Sequence, residues 1–429
     1  MELVAFWFRR DLRLEDNTAL FHALNSGKAV LPVFIFDTSI TNHLPGADPR
    51  VTFIHDQLTL IQQKLTGVGS TLLVKHGTPI DCWEELISTH DGIRTVYTNH
   101  DYEPYALERD EKVKVLLESH QIEFKTFKDQ VIFEKDEVVK DDGKPYTVYT
   151  PYKNKWLKKI DAHSYQAMPS ENSMGSFWRS EPLDLPSLAS MGFERSNIQV
   201  KPHHLGAMDG YDSKRDIPAL EATSYLSPHL RFGTVSVRRL AQQAAETNET
   251  FLSELIWREF FMQILYHFPH VVGGSFRKQY DQIKWENNEK QFAKWCQGKT
   301  GYPMIDAGMR ELNETGYMHN RVRMVVASFL TKHLLIDWRW GEAYFAEKLL
   351  DFELSSNNGN WQWAAGSGCD ASPYFRVFNP TSQLKKFDPQ MKYCKKWLGN
   401  DIGKYPPIVE HSAARLRAID RYKTALGKA

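Results

Sequence analysis

The first third of the chain alternates short apolar runs with amphipathic stretches, and this alternation restricts the fold more than any other feature of the sequence. Five runs have the length and the β-branched or aromatic content of buried strands: 3–8, 29–36, 70–76, 94–100 and 122–127. Stretches typical of helices lie between them, at 16–25, 51–66, 78–89 and 104–119. Strands that alternate with helices form a doubly wound, mostly parallel sheet, so we predict an α/β domain over residues 1–130.

The regular alternation stops after this domain. Residues 131–205 include a stretch rich in Ser, Pro, Met and Gly (168–192), and we interpret them as a long connection between domains. The pattern then becomes helical, because 251–268 and 319–335 both place apolar residues at i, i+3 and i+4. The sequence therefore predicts a fold of α/β followed by all-α, with the helical domain over 206–429.

The first predicted strand is followed by RRDLRLED and not by a glycine-rich turn. The usual dinucleotide fingerprint is therefore missing, and a nucleotide bound by this protein needs another phosphate cradle. One candidate is TSYLSPHLRFGTVS (223–236), where Thr223, Ser224 and Ser227 offer hydroxyl groups. Ser227 is predicted as the N-cap residue of a helix, with Pro228 as its first helical residue. Such a helix start can bind phosphate, although an ordinary capped helix has the same pattern.

Composition excludes several classes of protein. Apolar residues make up 42% of the 429 residues, too many for a disordered chain. The four cysteines are scattered, without the paired spacing of a disulfide framework or a zinc site, which suits a reducing compartment. The opening MELVAFWFRRDLRLED lacks a secretion signal, and no apolar run reaches the roughly 18 residues of a membrane span. We therefore expect a soluble, cytoplasmic monomer without a metal site.

The net charge is zero, but the charge is unevenly distributed along the chain. Residues 1–205 carry 23 Lys and Arg against 29 Asp and Glu, whereas residues 206–429 carry 30 against 24. This asymmetry favours a negatively charged partner for the C-terminal part.

Two helical stretches each place polar and large side chains on one face. The two sets, spaced i, i+3, i+4, are Glu254, Trp257 and Arg258, and Asn320, Arg323 and Met324. Such a face can be the wall of a pocket, with a carboxylate, an aromatic plate and a cation. It can equally be a surface ion pair beside a core tryptophan, and the residues alone leave the two alternatives even.

The segment LLDFELSSNNGNWQWAAGSGCDASPYFRVFNP (349–380) concentrates polar and aromatic groups. Asp351 and Glu353 precede a run of asparagines, and two tryptophans flank Gln362. A metal site needs more ligands than this run supplies. Carboxylates and amides can instead hydrogen-bond the edge of a large polar ring, while tryptophans stack on it or carry charge. A buried polar network at a helix end is the alternative, and such a network is costly without a function.

On these motifs the chain resembles the cryptochrome/photolyase family, and within it the class I photolyases that act on cyclobutane pyrimidine dimers. The resemblance runs from FWFRRDLRLEDNTAL (6–20) to PYFRVFNPTSQ (373–383). It is densest in ELIWREFF, GKTGYPMIDAGMRELNETGYMHNRVRM and NNGNWQWAAGSGCDASPYFRVFNP. It implies FAD in the helical domain, an antenna pigment in the α/β domain, and light-driven repair of UV-damaged DNA. In such repair, reduced FAD gives one electron to a flipped-out dimer, the ring opens, and the electron returns.

The resemblance also implies roles for individual residues. The cofactor contacts it implies are Tyr211, Thr223, Ser224, Leu226, Ser227, Arg258, Arg323, Asp351, Glu353 and Asn357. Among these, Arg323 would pair with Asp351 beside the flavin ring, and Asn357 would lie near flavin N5. The DNA and dimer contacts it implies are Glu254, Trp257, Asn320, Met324, Trp363, Arg376 and Gln383. Glu254 and Asn357 would take part in the chemistry, and an electron-transfer chain would consist of Trp361, Trp338 and Trp285.

Two positions depart from the pattern of the family. The family often has Asp where this chain has Glu353, and this change keeps the charge but can shift a hydrogen bond to the ring. Members that bind a folate antenna tend to have Asn-Glu where this chain has Tyr105-Ala106. Folate is therefore not expected, and a deazaflavin, another flavin or no antenna at all remain as alternatives.

Two alternatives to dimer repair follow from the same family. Six-four photolyases place two histidines in the substrate pocket, whereas MHNRVRM (318–324) offers one. A blue-light receptor would bind FAD without repairing DNA. We favour repair of cyclobutane dimers because the chain has the complete set of dimer-pocket residues. Trp295 and Trp340 have no counterpart in the electron-transfer chain, and we assign them to packing.

Overall fold

The computed structural model describes residues 2–427, which form two compact units that alternate along the chain. The first unit contains the segments up to Glu137, Lys159–His203 and Tyr225–Glu246; the second contains Val138–Lys158, His204–Ser224 and the chain from Thr247 onward. The division 1–130, 131–205 and 206–429 places Tyr225–Glu246 with the helical part. In the structure this segment belongs to the first unit, because Phe232 joins the apolar core there.

The first unit is built on a five-stranded sheet in which every pair of neighbouring strands is parallel. Its strands are β1 (Leu3–Phe8), β2 (Ala29–Asp37), β3 (Leu73–Gly77), β4 (Ile93–Asn99) and β5 (Glu123–Phe127). The order β3-β2-β1-β4-β5 confirms the predicted doubly wound α/β fold, with the strand order reversing between β1 and β4. Apolar side chains cover both faces of the central strands, as a parallel sheet requires.

Helices surround the sheet and form the second unit. They are α1 (Thr18–Leu24), α2 (Thr38–Thr41), α3 (Pro49–Thr66), α4 (Pro79–Thr89), α5 (Pro104–Ser119), α6 (Tyr149–Lys159), α7 (Tyr211–Lys214), α8 (Leu226–Arg231), α9 (Val237–Thr247), α10 (Glu249–His267), α11 (Glu289–Cys296), α12 (Pro303–Thr315), α13 (Asn320–Ser328), α14 (Trp338–Lys348), α15 (Leu354–Ala365), α16 (Pro380–Phe387), α17 (Lys392–Leu398) and α18 (His411–Ala425). From Thr247 onward the structure has helices and no strand within the described residues, which confirms the predicted all-α part.

The predicted connection contains a helix that the sequence patterning missed. Helix α6 buries Tyr149, Tyr152 and Trp156, which lie on one face at i, i+3 and i+7. The indole N–H of Trp156 donates to the carboxylate of Glu259 at 2.7 Å, and so fixes α6 to α10 within the second unit. The lysines between the aromatic residues lower the mean hydropathy of the segment, so its apolar face is not visible in the sequence pattern.

The second unit has one large apolar cluster, in which α11, α12, α13, α14 and α15 meet. The predicted helix 319–335 ends earlier as an α-helix, at Ser328, and continues as a π-helical turn over Phe329–His333. No helix of the described part of the chain combines the length and the apolar character needed to cross a membrane.

Candidate functional site

Asp351 lies in the loop before α15, and its carboxylate is half satisfied. Arg323 of α13 donates from Nη2 to Asp351 Oδ2 at 2.9 Å, and from Nε to the carbonyl oxygen of Met318 at 2.7 Å. The other oxygen, Oδ1, is buried and has no hydrogen-bond partner among the residues that the structure describes. Ser355 Oγ, on the first turn of α15, is likewise buried without a hydrogen-bond partner among the described residues. Buried polar atoms without partners are costly, so these two atoms mark a place for a polar ligand.

Glu353 precedes α15 as its N-cap residue and connects this helix to α10. Its Oε2 lies 3.4 Å from Nε of Arg258 on α10, and both side chains are nearly buried. A carboxylate at the N-terminus of a helix is also favoured by the helix dipole. The Glu in place of the usual Asp therefore keeps an ion pair with the helix that carries Glu254 and Trp257.

Asn357 and Asn358 both contact Glu342, a residue of α14 that the sequence did not single out. Asn357 donates from Nδ2 to the carbonyl oxygen of Glu342 at 3.1 Å, and Asn358 Nδ2 donates to Glu342 Oε1 at 3.0 Å. Burial raises the pKa of Glu342 to about 7, and the hydrogen bond from Asn358 offsets only part of this rise. Glu342 can therefore hold or release a proton near neutral pH, although no pattern in the sequence distinguishes it from a surface glutamate.

Helices α10 and α15 approach each other closely because Gly359 has no side chain. A Cβ atom at this position would lie 2.1 Å from Cδ1 of Phe261, which is closer than any real contact. The glycine of the NNGN motif therefore lets α15 lie against α10, so that Arg258 reaches Glu353.

Glu254 forms an ion pair with Arg215, the residue that follows α7. The distance from Arg215 Nη1 to Glu254 Oε1 is 2.5 Å, and both side chains remain partly exposed. Burial raises the pKa of Glu254, and the charge of Arg215 offsets part of this rise. Tyr211 lies beside the pair, with the Arg215 guanidinium 5.3 Å from the centre of its ring. Burial and the nearby Glu254 charge raise the pKa of Tyr211 to about 12, so its hydroxyl stays protonated.

Trp257 is stacked on an aromatic partner from the predicted connection. Tyr149 lies parallel to it at 3.6 Å between ring centres, and Phe261 lies 5.4 Å away at 30°. The Tyr149 hydroxyl donates to the carbonyl oxygen of Ser253 at 2.8 Å, which holds the tyrosine against α10. The indole is half-buried, so part of it remains available to a ligand. No local pattern in the sequence indicates this role of Tyr149, because Tyr149 lies 108 positions before Trp257.

Asn320 and Met324 lie one turn apart at the start of α13. Asn320 is exposed, and Met324 is half-buried. The preceding His319 is the N-cap residue, and its Nδ1 accepts a hydrogen bond from the backbone N–H of Arg321 at 3.1 Å. Burial lowers the pKa of His319 to about 4, so the single histidine of this motif is neutral.

The predicted phosphate cradle differs in detail from the expectation. Helix α8 begins at Leu226 with Tyr225 as the N-cap residue, so Ser227 and Pro228 lie inside the first turn and the predicted Ser227 cap is wrong. Tyr225 has φ of +53°, a left-handed conformation that is uncommon for residues other than glycine. Thr223 and Ser224 precede it in the second unit, whereas Leu226 and Ser227 belong to the first.

The three tryptophans of the predicted electron-transfer chain share one region of the second unit. Trp361 and Trp338 are buried members of the large apolar cluster, and Trp285 is partly buried against it. Trp361 also contacts Trp295, with ring centres 6.2 Å apart. The electron-transfer role of Trp361, Trp338 and Trp285 stays a prediction. Trp295, which the sequence analysis assigned to packing, contacts one of them.

The remaining predicted DNA contacts lie on the last turn of α15, in the loop that follows it and on α16. Trp363 is half-buried with its ring centre 6.5 Å from that of Phe378, and the exposed Arg376 places its guanidinium 5.6 Å from the same phenyl ring. Gln383 lies on α16, and its Oε1 is buried without a hydrogen-bond partner among the described residues. Phe375 is 59% exposed next to Arg376. Exposed aromatic and cationic side chains of this kind suit a nucleic-acid surface.

The carboxyl edge of the sheet, where doubly wound folds bind ligands, is closed by pairs of side chains. Arg9, after β1, bonds to Asp110 and to the backbone oxygen of Asn99. Tyr105 donates to Asp37 Oδ2 at 2.5 Å at the end of β2. In this region the polar side chains satisfy one another.

Comparison with known proteins matches both parts of the chain to one family. Residues 4–171 match the family model for DNA photolyase, and residues 251–403 match the FAD binding domain of DNA photolyase. A deoxyribodipyrimidine photo-lyase of Synechococcus is 38% identical over 92% of this chain and 87% of its own, and one of Agrobacterium fabrum is 37% identical over 98% and 97%.

Solved structures agree with these matches. A class III photolyase from Agrobacterium tumefaciens superposes with a TM-score of 0.85 at 33% identity, covering 99% of this chain and 98% of its own. An archaeal photolyase from Sulfolobus tokodaii, solved with two FAD molecules, has a TM-score of 0.82 at 35% identity, covering 99% and 100%.

Proposed function

The chain belongs to the DNA photolyase family, and we propose how its residues carry out the light-driven repair of cyclobutane pyrimidine dimers in DNA. The protein is a lyase that binds FAD and acts on UV-damaged DNA. When bound, reduced FAD supplies under light the electron that opens the cyclobutane ring. The observation that best supports the assignment of residues is the link between α10 and α15 through Arg258 and Glu353, because one helix carries the dimer contacts and the other the ring contacts.

The polar atoms around Asp351 fit the edge of a flavin ring. Asp351 Oδ1 is an acceptor without a partner among the described residues, and the hydrogen bond from Arg323 to Oδ2 holds this carboxylate in its orientation. We assign Asn357 to flavin N5, where its amide would orient the proton of the reduced ring. Tyr211, Thr223, Ser224, Leu226 and Ser227 are proposed to hold the diphosphate and ribityl parts, through hydroxyl groups and the backbone at the start of α8.

Glu254 and Trp257 are proposed to bind the flipped-out dimer. When DNA binds, Arg215 would leave Glu254 and pair with a DNA phosphate. The raised pKa of Glu254 then favours the protonated carboxyl group, which would donate a hydrogen bond to a pyrimidine carbonyl oxygen. Trp257 and Trp363 would pack against the bases, as aromatic side chains do for unstacked nucleotides. Asn320 and Met324 would add a polar and an apolar contact, and Arg376 and Gln383 would meet the DNA backbone.

The antenna of this protein is a separate question from its catalytic cofactor. One structural relative carries a second FAD, described for that protein as a light-harvesting cofactor. We propose that any antenna here is not a folate, because Tyr105-Ala106 replaces the usual Asn-Glu pair and the Tyr105 hydroxyl donates to Asp37. The pigments released by heat from purified protein test this, since a folate in the extract would contradict it.

We propose that the protein works as a monomer in the cytoplasm. Its cysteines are free, at positions 82, 296, 369 and 394, which suits a reducing compartment. Light scattering of the purified protein with and without damaged DNA measures the oligomeric state, and a stable dimer would contradict the proposal.

Repair of an oligonucleotide with one cyclobutane thymine dimer tests the function. Reduced, FAD-loaded protein should restore the thymines under blue light and not in the dark. Glu254→Ala should lower the repair rate about tenfold or more while FAD stays bound. Glu249→Ala is the matched control, because this glutamate lies on the exposed start of the same helix and should leave repair unchanged. A protein shown to be loaded and reduced that repairs nothing would favour a photoreceptor, and repair restricted to a six-four lesion would favour the other photolyase class.

A further inference from the structure

The indole of Trp361 contacts a second tryptophan that the predicted electron-transfer chain does not use. Trp295, on α11, lies with its ring centre 6.2 Å from that of Trp361 and its plane at 67°. The Trp361 ring is tightly enclosed, since a Cβ atom at Gly341 would lie 2.1 Å from its six-membered ring. Two indoles held in edge contact inside a core can exchange an electron without any rearrangement.

Trp295 is fully buried, and its indole N–H is held away from water. Its relative exposure is 0%, and Nε1–H donates to the carbonyl oxygen of Val326 at 3.3 Å. An indole that has lost an electron becomes a strong acid, but a peptide carbonyl is a poor base. An oxidised Trp295 would therefore take an electron from its next neighbour and would not persist as a neutral radical.

Two oxidisable side chains lie beyond Trp295. Tyr344 contacts it directly, with ring centres 5.7 Å apart at 64°. Trp340 is connected to Trp295 through Phe292, which stacks on Trp295 at 5.7 Å and meets Trp340 at 5.2 Å. A phenyl ring is far harder to oxidise than a phenol or an indole, so Phe292 is a barrier on the way to Trp340. The direct contact favours Tyr344 as the end of the path.

The environment of Tyr344 suits a phenol that gives up an electron and a proton together. Its hydroxyl donates to Asn313 Oδ1 at 2.6 Å, and the ring is half-buried. Lys348, one turn further along α14, places its ammonium 5.7 Å from the ring centre. Burial raises the pKa of this tyrosine, so it is a neutral phenol before it is oxidised.

We propose that Trp295 and Tyr344 form a second electron-transfer branch. It would reduce Trp361 again after Trp361 has given one electron to bound, photoexcited, oxidised FAD. One electron passes from Tyr344 to Trp295 and from Trp295 to Trp361. The half-buried Tyr344 releases its phenolic proton to water, whereas the enclosed Trp295 does not, and a neutral tyrosyl radical remains. A soluble thiol then returns a hydrogen atom to Tyr344 and becomes a thiyl radical. The proposal rests on FAD binding and on the contact of Trp361 with FAD, and it adds to the proposed chain through Trp338.

Light-driven reduction of oxidised, FAD-loaded protein in the presence of a thiol tests the branch. Trp338→Phe blocks the proposed main chain and should leave about a tenth of the wild-type rate. Adding Trp295→Phe or Tyr344→Phe should remove about a further tenfold, whereas the matched change Trp340→Phe should remove nothing. A Trp338→Phe protein without residual reduction, or an equal residual rate after Trp295→Phe, would overturn the branch. A residual rate lost only with Trp340→Phe would overturn Tyr344 as its end.

The identity of the radical provides a readout that does not depend on changing a buried tryptophan. Electron paramagnetic resonance of illuminated Trp338→Phe protein should show a tyrosyl radical whose spectrum narrows when the tyrosines carry ring deuterium. A tryptophanyl spectrum that is indifferent to this labelling would contradict the proposal. Repair by dithionite-reduced protein, measured on the same samples, needs no hole transfer. Its failure would count against the proposed function, whereas a missing tyrosyl radical counts against the branch alone.

Discussion

The carboxyl edge of the sheet and the wall made by α10, α13, α14 and α15 are both rich in charged side chains, but the side chains are paired differently in the two regions. At the sheet edge, burial opposes the charged form of Asp101, yet Arg10, Arg9 and two further arginines hold its pKa below its ordinary value. In the helical wall, Asp351 has one oxygen without a partner among the described residues, and burial raises the pKa of Glu342 to about 7. Charges that neutralise one another stabilise a fold, whereas incompletely satisfied charges are kept for a ligand.

The largest effect that this comparison predicts is on FAD affinity. Asp351→Ala should weaken FAD binding about 100-fold, or about 3 kcal/mol, because it removes an acceptor and leaves the Arg323 guanidinium without its carboxylate. Titration of the apoprotein with FAD, followed by flavin fluorescence, measures the dissociation constant. Unchanged affinity in this variant would mean that Asp351 belongs to a structural pair like those at the sheet edge.

The matched variant at the sheet edge should give the opposite result. Asp110→Ala takes the carboxylate from Arg9 and Arg109, both nearly buried, and should lower the free energy of unfolding of the first unit by about 2 kcal/mol. Its FAD affinity should equal that of the wild type. Thermal unfolding followed by circular dichroism provides the first quantity and the FAD titration the second. A loss of FAD here, with stability unchanged, would erase the distinction between the two regions.

The two regions also differ in how much of them the sequence predicts. The strands and helices around the sheet follow from apolar patterning, since β1 buries the whole apolar run 3–8 and α3 buries Leu58, Ile61 and Leu65 on one face. In the helical wall, spacing predicts that Glu254 and Trp257 share a face, because both lie on one helix. The partners of these residues are not predictable in this way. Arg215 and Tyr149 come from segments of weak patterning, and nothing local in the sequence encodes contacts over 39 and 108 positions.

The resemblance to photolyases supplied the residue types of the site, and the structure supplied their connections. Two of these connections depend on how α10, α14 and α15 pack. They are the ion pair of Glu353 with Arg258 and the hydrogen bonds that Asn357 and Asn358 donate to Glu342. The start of α8 was misplaced by two residues because Tyr225 adopts a left-handed conformation that its residue type does not favour.

A smaller effect concerns the stack on Trp257, which tests whether the wall is arranged in advance for its substrate. Tyr149→Leu removes the parallel ring, leaves the indole free to turn, and should weaken binding of dimer-containing DNA about fivefold, or about 1 kcal/mol. Tyr149→Phe keeps the ring and is the matched control, with affinity close to that of the wild type. Fluorescence anisotropy in the dark measures both. Equal losses in the two variants would assign the effect to the hydrogen bond with Ser253.

The smallest effect is the pH dependence that Glu342 contributes, and it distinguishes the two regions by sign. Because its folded pKa of about 7 lies above the ordinary value of 4.5, the folded state binds the proton more tightly than the unfolded state. The stability that this adds is complete below pH 4.5 and is lost as the pH rises through about 7. The free energy of unfolding of Glu342→Gln, relative to that of the wild type, should therefore rise by about 0.5 kcal/mol between about pH 5 and about pH 8. Partial exposure of the carboxylate keeps the effect small.

Asp101→Asn at the sheet edge should instead be less stable than the wild type over the whole of that range, because the lowered pKa of Asp101 keeps the carboxylate charged and paired there. Thermal unfolding of both variants across this range measures the difference. A higher stability of Asp101→Asn than of the wild type would mean that the arginines do not offset the cost of burying the Asp101 carboxylate.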